Sequence, residues 1–275
     1  LVAEREYHEV VTYSFVEAAW EADFAATPSG IVLANPIASQ MGVMRSTMIG
    51  GLVGTIVANR RRQTERVRVF EIGRCFLRDA AAGPVAGFAQ PLRLAGLAAG
   101  TASPEQWGSA SRRVDFYDVK SDVEALFAQR RLEFVKTSNP ALHPGRCATV
   151  MLDGRSVGVV GELHPRWVQK YELGTAPVVF ELELIDVLAT PFPAYAEVSR
   201  FPAVTRDLAL VVPHIQPLAP LLAALRGAAP ATVRDVALFD VYQGKGLAES
   251  EKSLAFRIVM QDTQRTLEDA EVEAV

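Results

Sequence analysis

After residue 206 the sequence predicts a strand, a helix, two further strands and the start of a second helix. That order begins the split βαβ, ferredoxin-like plan, which continues with a second helix and a fourth strand. We therefore expect a ferredoxin-like module that lacks its last strand. The predicted strands cover residues 207–212, 233–242 and 254–261, and the predicted helix covers residues 217–227.

Proline residues separate this module from the preceding part of the chain. Pro191 and Pro193 flank Phe192. Prolines cannot continue a central strand, and they favour an extended linker. The sequence therefore predicts two domains, one covering residues 1–190 and the other covering residues 191–275.

The end of the second domain carries a helix start signal. Thr266 is followed three residues later by Asp269, which resembles a capping box with Asp in place of the usual Glu or Gln. The spacing predicts a helix that opens at Thr266 and is cut off at Val275. This cut is why we expect the module to lack its last strand.

Helices and strands are also predicted before residue 190. Apolar residues at helical spacing predict the helices, and alternating or short apolar runs predict the strands. Asp153-Gly154 is a good hairpin turn signal between two of these strands. The predicted helices cover residues 44–62 and 116–130, and the predicted strands cover residues 10–16, 67–77, 92–99, 134–135, 148–152, 157–160 and 178–184.

The composition limits the possible functions. Of 275 residues, 49% are apolar and 22% are charged, and the formal net charge is -4. These values are typical of an ordinary globular protein and argue against a broadly basic nucleic-acid binder. Any RNA contact must therefore be a local patch or be shared with a partner.

The cysteines and histidines indicate no reactive site. Cys75 and Cys147 give no disulfide framework and suit a reducing cytosol, and we expect both to be buried small hydrophobes. Neither cysteine shares a metal-ligand spacing with a histidine. His143 and His164 have no nucleophile or acid partner in a known motif, so we expect turn and packing roles for them.

Two charged clusters allow a functional and a structural interpretation. The arginines of residues 60–74 could contact RNA, but a helix end and a solvated strand face, paired with Glu65 and Glu71, is the favoured interpretation. The acidic residues of segment 115–124 could bind Mg²⁺, but a solvated helix start is favoured.

Four segments of the second domain share a distinctive order of charged, aromatic and apolar residues. They are residues 200–212, 238–244, 252–258 and 265–269. Their pattern closely resembles the ferredoxin-fold anticodon-binding domain of bacterial phenylalanyl-tRNA synthetase beta subunits. The resemblance implies that this module binds tRNA.

Residues 1–190 carry a second set of matching segments. These are residues 7–15, 35–37, 44–48, 69–76, 115–120 and 161–165. Their joint order is specific and resembles the catalytic-like module of the same subunit, which is built like a class II synthetase core. We therefore expect an α+β fold, with a class II synthetase-like antiparallel sheet and flanking helices followed by the ferredoxin-like module.

The resemblance also implies that the first module has lost catalysis. A class II site needs an arginine after the second-motif strand, because a fixed bidentate cation must hold the ATP phosphate. Here Leu77 follows Phe76, and Arg78 comes one residue late, on the opposite face of the strand. Residues 177–184 lack the glycine-rich, arginine-bearing third motif. We predict neither a catalytic nor a metal-binding residue in this chain.

The resemblance further implies a non-catalytic subunit of a cytoplasmic ligase. The implied holoenzyme is an α₂β₂ heterotetramer that joins phenylalanine to its tRNA with ATP and Mg²⁺, which this fragment alone is not expected to bind. We expect residues 1–190 to carry an apolar surface for the alpha subunit. Two alternatives remain open, a stand-alone synthetase-like module that binds RNA or protein and an active ATP-dependent ligase.

Cations and aromatic residues of the second domain are the candidates for tRNA binding. Splayed bases are recognised by aromatic stacking, and cations bind phosphates. The alternative is that Phe239 and Tyr242 are core residues and that Arg206 pairs with Asp207 or Glu197. The candidates are Arg200, Phe201, Arg206, Phe239, Tyr242, Lys252, Arg257 and Arg265.

Overall fold

The computed structural model describes residues 1–26, 30–127, 130–189, 192, 195 and 197–273. The chain divides into two compact units, Leu1–Pro193 and Ala194–Val275. The linker prolines Pro191 and Pro193 lie outside the described residues. None of the described helices combines the length and the apolar character needed to cross a membrane.

The first unit contains short strands at its start and long strands after residue 66. Its strands are β1 (His8–Glu9), β2 (Phe15–Val16), β3 (Ile31–Val32), β4 (Val43–Met44), β5 (Val67–Arg74), β6 (Leu77–Arg78), β7 (Phe88–Ala89), β8 (Leu92–Ala99), β9 (Leu132–Lys136), β10 (Leu142–Leu152), β11 (Arg155–Leu163) and β12 (Val178–Glu183). Its helices are α1 (Ala18–Phe24), α2 (Ile49–Arg60), α3 (Phe116–Leu126), α4 (Pro165–Lys170) and α5 (Leu184–Leu188).

A seven-stranded sheet forms the centre of this unit, in the order β1-β5-β8-β12-β11-β10-β9. β1 runs parallel to β5, and the other neighbours are antiparallel. Alternating apolar residues cover both faces, so helices pack on each side. Leu52 of α2 belongs to the core on one face, and Val123 of α3 belongs to the core on the other. The predicted antiparallel sheet with flanking helices is confirmed.

The hairpin predicted at Asp153-Gly154 is also confirmed. These residues join β10 to β11, and Leu152 pairs with Arg155 across the turn. Asp153 has a φ of 50° and Gly154 a φ of 79°. Positive φ at both central residues is the pattern of the tight turn that matches strand twist.

Several predicted boundaries in this unit are wrong. The strand predicted over residues 10–16 is limited to Phe15–Val16. The helix predicted over residues 44–62 begins only at Ile49, because Val43–Met44 form the central strand of a small sheet with the order β2-β4-β3. The helix predicted over residues 116–130 ends at Leu126. Apolar spacing alone did not separate a two-residue strand from the helix that follows it.

The second unit contains the predicted strand, helix, strand, strand order. Its elements are β13 (Val204–Pro213), α6 (Leu218–Ala228), β14 (Val233–Tyr242), β15 (Glu251–Met260) and α7 (Asp269–Glu273). The sheet order is β13-β15-β14, with antiparallel pairing throughout. Leu222 and Leu225 of α6 pack against the buried Val236, Leu254 and Phe256 on one face of this sheet.

The capping box predicted at Thr266 is wrong. α7 begins at Asp269, so Thr266 lies too early to cap it. Instead the Glu271 carboxylate accepts a hydrogen bond from the backbone N–H of Glu268 at 3.0 Å, and Arg265 pairs with the same carboxylate. A glutamate that reaches back three residues thus satisfies the free N–H at this helix start.

Candidate nucleic-acid interface

Strand alternation places two different sets of side chains on the two faces of the β13-β15-β14 sheet. Leu210 and Val212 face α6 and belong to its apolar cluster. The intervening residues therefore lie on the opposite face, where Asp207, Ala209 and Val211 are exposed. We call this second surface the open face.

The open face has a central row of small side chains, and the cross-strand rows on either side of it carry larger side chains. In the middle, Ala255 pairs with Ala209 on one side and Asp240 on the other. Ser253 stands next along β15 and pairs with Val211 and Tyr242. In the other direction, Arg257 pairs with Asp207 and Ala237. Small side chains in the middle leave room for a flat group above them.

A β-bulge in β14 places Tyr242 on the same face as Phe239. Leu238 pairs with Phe256 and Asp240 with Ala255, so Phe239 is an extra residue in the strand. Phe239 is 49% exposed and Tyr242 is 47% exposed. The alternative that these two aromatic residues belong to the core is therefore wrong. Phe239 follows the inward-facing Leu238 and so lies on the open face by alternation, whereas Tyr242 lies there because the bulge shifts the alternation.

Arg257 is held in place by two neighbours. Its guanidinium donates two hydrogen bonds of 3.0 Å to the carboxylate of Asp207 and lies 4.5 Å from the ring centroid of Phe239. The hydrogen bonds from Arg257 lower the pKa of Asp207. The predicted pairing of Arg206 with Asp207 is wrong, because Arg206 lies on the other face and donates to the carbonyl of Thr205 at 3.3 Å.

The remaining candidates lie away from the open face or are already engaged. Lys252 lies on the same face of the sheet as Leu254, and it donates to the carbonyl of Gln216 at 2.8 Å. Arg265 pairs with Glu271, and Phe201 donates its N–H to Ser199 Oγ at 3.1 Å. Arg200 precedes β13 and is exposed.

The structure thus groups Phe239, Tyr242 and Arg257 on one surface. Sequence reasoning missed Ala209, Asp240, Ser253 and Ala255, which lie among them. The alternation of small and apolar residues along β13 and β15 was the sequence signal that could have located this surface.

In the first unit, buried charges fill the sheet face beside α2. Arg45 Nη1 donates to Glu71 Oε1 at 2.8 Å and to Thr12 Oγ1 at 2.9 Å, and Thr12 Oγ1 donates to Glu71 Oε2 at 2.7 Å. Arg45 and Glu71 are each only 3% exposed. The predicted pairing of Glu71 with the arginines of residues 60–74 is therefore wrong.

A second buried network lies on the same face. Glu181 accepts hydrogen bonds from Thr47 Oγ1 at 2.9 Å and from the Met48 N–H at 2.7 Å, and Arg93 pairs with it at 2.9 Å. A negative charge at the start of α2 is favourable for the helix dipole. Cys75 is fully buried, and burial raises the pKa of its thiol to about 12, which confirms the expectation of an inert cysteine.

The resemblance would place the ATP-binding arginine on β6. Leu77 occupies the position of the required arginine, and the Arg78 guanidinium lies 5.7 Å from the ring centroid of Phe88. Across the described residues, no group of three His, Cys, Asp or Glu side chains could hold a metal ion. The neighbouring sheet face is occupied by the side chains of Arg45 and Glu71.

The acidic segment has two structural roles. Asp115 caps α3 in a reciprocal capping box with Asp118, as expected for a helix start. Asp122 is not solvated as predicted, because it is buried and binds Arg68 at 3.0 Å and Tyr7 Oη at 2.9 Å. Its partners are far away in the sequence, so the local pattern did not predict them.

The two histidines have the expected turn and packing roles. His143 Nδ1 accepts from the Gly145 N–H at 3.0 Å, and His164 Nδ1 accepts from the Arg166 N–H at 3.1 Å at the start of α4. The Nδ1 atom of each histidine is therefore hydrogen-bonded to the local backbone.

Large apolar side chains are exposed around the small β2-β4-β3 sheet. Val11 is 91% exposed, Tyr13 72%, Val32 71% and Ile37 88%. Val11 and Tyr13 lie between β1 and β2, Val32 lies on β3, and Ile37 lies between β3 and β4. Large exposed apolar side chains, when they lie together, are typical of surfaces that contact another protein.

Two family models match nearly the whole chain. The phenylalanyl tRNA synthetase beta chain CLM domain matches residues 1–184, and the ferredoxin-fold anticodon binding domain matches residues 199–275. The chain belongs to the phenylalanyl-tRNA synthetase beta chain family. The open face lies within the second matched domain, and the buried networks lie within the first.

Curated relatives agree with this membership. The phenylalanine--tRNA ligase beta subunit of Aromatoleum aromaticum is 64% identical over 274 residues, which cover 100% of this chain and 35% of that protein. The beta subunit of Dechloromonas aromatica is 60% identical over 100% of this chain and 35% of its own length. The chain thus spans about a third of the length of these relatives.

A solved structure offers a more distant comparison. A pyrrolysyl tRNA synthetase from Desulfitobacterium hafniense aligns with a TM-score of 0.49 and 16% identity, over 68% of this chain and 61% of that chain.

Proposed function

We propose that the chain acts as part of a phenylalanine--tRNA ligase beta subunit, where its second unit binds the anticodon region of phenylalanine tRNA. The observation that carries this proposal is the open face, where Tyr242 and Phe239 are each about half exposed beside a floor of two alanines. Exposed aromatic rings on a sheet are stacking platforms for unpaired bases. The match to an anticodon-binding domain supports the same conclusion.

Different residues of the open face would stack on a base and hydrogen-bond to its edges. A base above Ala209 and Ala255 would stack against Tyr242, while Asp240 and Ser253 supply an acceptor and a hydroxyl for its edges. Arg257 already binds Asp207, so it supports Phe239 more than it neutralises a phosphate. Of the cations off this face, the exposed Arg200 would contact a phosphate beside it, and Phe201 lies next to Arg200 in the chain. Arg206 and Lys252 lie on the opposite face, and Arg265 is paired with Glu271.

The first unit serves as a scaffold for a catalytic alpha subunit. Support comes from the exposed apolar side chains of Val11, Tyr13, Val32 and Ile37 and from the beta-subunit relatives. In this proposal the holoenzyme is a cytoplasmic α₂β₂ heterotetramer. ATP and Mg²⁺ would bind in the alpha subunit, where they activate phenylalanine. The buried ion pair of Arg45 and Glu71 has a structural role inside the first unit.

Binding of the anticodon stem-loop of phenylalanine tRNA tests this function. Tyr242→Ala should weaken binding by about 1–3 kcal/mol, the usual value of one base stacked on an aromatic ring. Tyr117→Ala is the matched control, because Tyr117 is an exposed tyrosine in the first unit. Equal affinity of the wild type and the Tyr242 variant, or equal losses in both variants, would show that the open face does not bind the anticodon.

A further inference from the structure

Thr12 is a half-buried anchor between two exposed neighbours. Its hydroxyl accepts from Arg45 at 2.9 Å and donates to Glu71 at 2.7 Å, whereas Val11 and Tyr13 are 91% and 72% exposed. The extended chain therefore turns Thr12 inward and its two neighbours outward.

Two glycines make room for this anchor. A Cβ at Gly51 would overlap with Thr12 Oγ1 and lie 2.9 Å from Thr12 Cβ. A Cβ at Gly73 would overlap with Arg45 Nη2 and lie 3.0 Å from Glu71 Oε1. The backbone of α2 and of β5 thus approaches the polar cluster as closely as possible, which leaves its members little freedom.

Backbone hydrogen bonds fix the chain on both sides of Thr12. The Val10 N–H donates to the Phe70 carbonyl at 2.8 Å, and the Arg45 N–H donates to the Ser14 carbonyl at 2.9 Å. Between these points, the Thr12 hydroxyl connects the middle of the segment to the sheet. The orientation of Val11 and Tyr13 therefore depends on this hydroxyl and on the buried ion pair that holds it.

We propose that Thr12, Arg45 and Glu71 form a positioning cluster that holds Val11 and Tyr13 in the conformation that the alpha subunit binds. This inference rests on the proposed function of the first unit. A buried ion pair adds little stability compared with apolar packing, but it can specify one conformation. A surface segment ordered before binding costs less entropy on association. The cluster is thus a positioning device and makes no contact with the partner itself.

Binding of the purified alpha subunit to the complete beta subunit tests the cluster. Thr12→Val keeps the shape and removes the hydroxyl, while Thr12→Ser keeps the hydroxyl and is the rescue variant. A hydrogen bond to a charged group is strong enough that Thr12→Val should weaken binding about tenfold, and Thr12→Ser should stay within about threefold of the wild type. Tyr13→Ala probes the contact surface directly.

A double-mutant cycle separates positioning from a general loss of stability. If Thr12 acts through Tyr13, Thr12→Val should have little further effect in the Tyr13→Ala background, because the oriented side chain is already gone. Additive losses, or a Thr12→Ser variant as weak as Thr12→Val, would overturn the positioning role. If Tyr13→Ala weakens binding and Thr12→Val does not, the cluster is overturned and the docking surface stands. If neither variant weakens binding, both the cluster and the proposed docking surface are wrong.

Discussion

Gly96 and Phe180 face each other across β8 and β12, and the ring of Phe180 fills the space that a side chain at position 96 would need. The two residues are a registered pair in the middle of the seven-stranded sheet. A Cβ on Gly96 would overlap with Cε1 and Cζ of the ring, and Phe180 is only 1% exposed. The core of the first unit therefore depends on the absence of a side chain at this position.

Gly96→Ala should destabilise the first unit by about 1–3 kcal/mol, the usual cost of an added methyl group in a well-packed core. Gly83→Ala is the matched control, since nothing lies within 4 Å of a Cβ there, and its effect should stay within about 0.5 kcal/mol. Urea unfolding followed by circular dichroism measures both. Equal stability of the two variants would mean that Phe180 can move aside without cost.

Asp207→Asn should make tRNA binding more dependent on salt. The substitution removes the charge that neutralises Arg257 and frees the guanidinium to bind a phosphate. One added phosphate contact changes the slope of log K against log salt by roughly 0.7–0.9. The measurement is the affinity for the anticodon stem-loop over a series of salt concentrations.

Asp235→Asn is the matched control for this prediction, because Asp235 is exposed on the same sheet and the substitution changes the net charge equally. A similar slope change in both variants would show a general charge effect and no special role for the ion pair of Arg257.

In the wild type, the free energy of unfolding should fall as the pH rises, because Glu21 must ionise. Glu21→Gln should remove this fall. Burial raises the pKa of Glu21 above its ordinary value of 4.5, hydrogen bonds from Ser46 oppose this, and Glu181 adds to it. A carboxyl group with a raised pKa in the folded state binds protons more tightly there than in the unfolded chain. The free energy of unfolding therefore falls as the pH rises from the ordinary value through the folded-state value.

The measurement is urea unfolding below that pH window and at neutral pH. Asp118→Asn supplies the opposite sign, because the hydrogen bond from Arg112 lowers the pKa of Asp118. Its removal should cost more stability at neutral pH than in acid. Parallel pH profiles for the Glu21 variant and the wild type would contradict the assignment.

The purified chain alone should not catalyse phenylalanine-dependent pyrophosphate exchange. Leu77 stands where the family motif needs a cation, and the sheet face beside α2 is filled by Arg45 and Glu71. The positive control is the same assay with the alpha subunit added. Exchange by the chain alone, at a rate that depends on phenylalanine, would show that the first unit keeps an active site.

The sequence predicted those features that depend on local patterns. Apolar periodicity located β8 with the correct bounds, and Asp153-Gly154 located a hairpin. The ordered motifs identified both modules, because many weak matches in one order are jointly specific. These features arise from residues close together in the chain.

Long-range side-chain partners could not be predicted in this way. Nothing near Asp122 indicates that it binds Tyr7, which lies 115 residues away in the sequence. The position of Tyr242 on the open face depends on one extra residue in β14, and a strict period-two pattern does not predict a bulge. Arg206 and Asp207 are adjacent in the chain, yet alternation places them on opposite faces of the sheet.

These long-range partners also determine the order in which the first unit can fold. The Met48 N–H is satisfied by Glu181, 133 residues later, and Tyr7 requires Asp122. Contacts of such high sequence separation form slowly, because a long loop must close before they are gained. During synthesis, residues 5–14 leave the ribosome long before β12 exists to complete the sheet. The earliest residues of this unit to be made are thus among the last to become ordered.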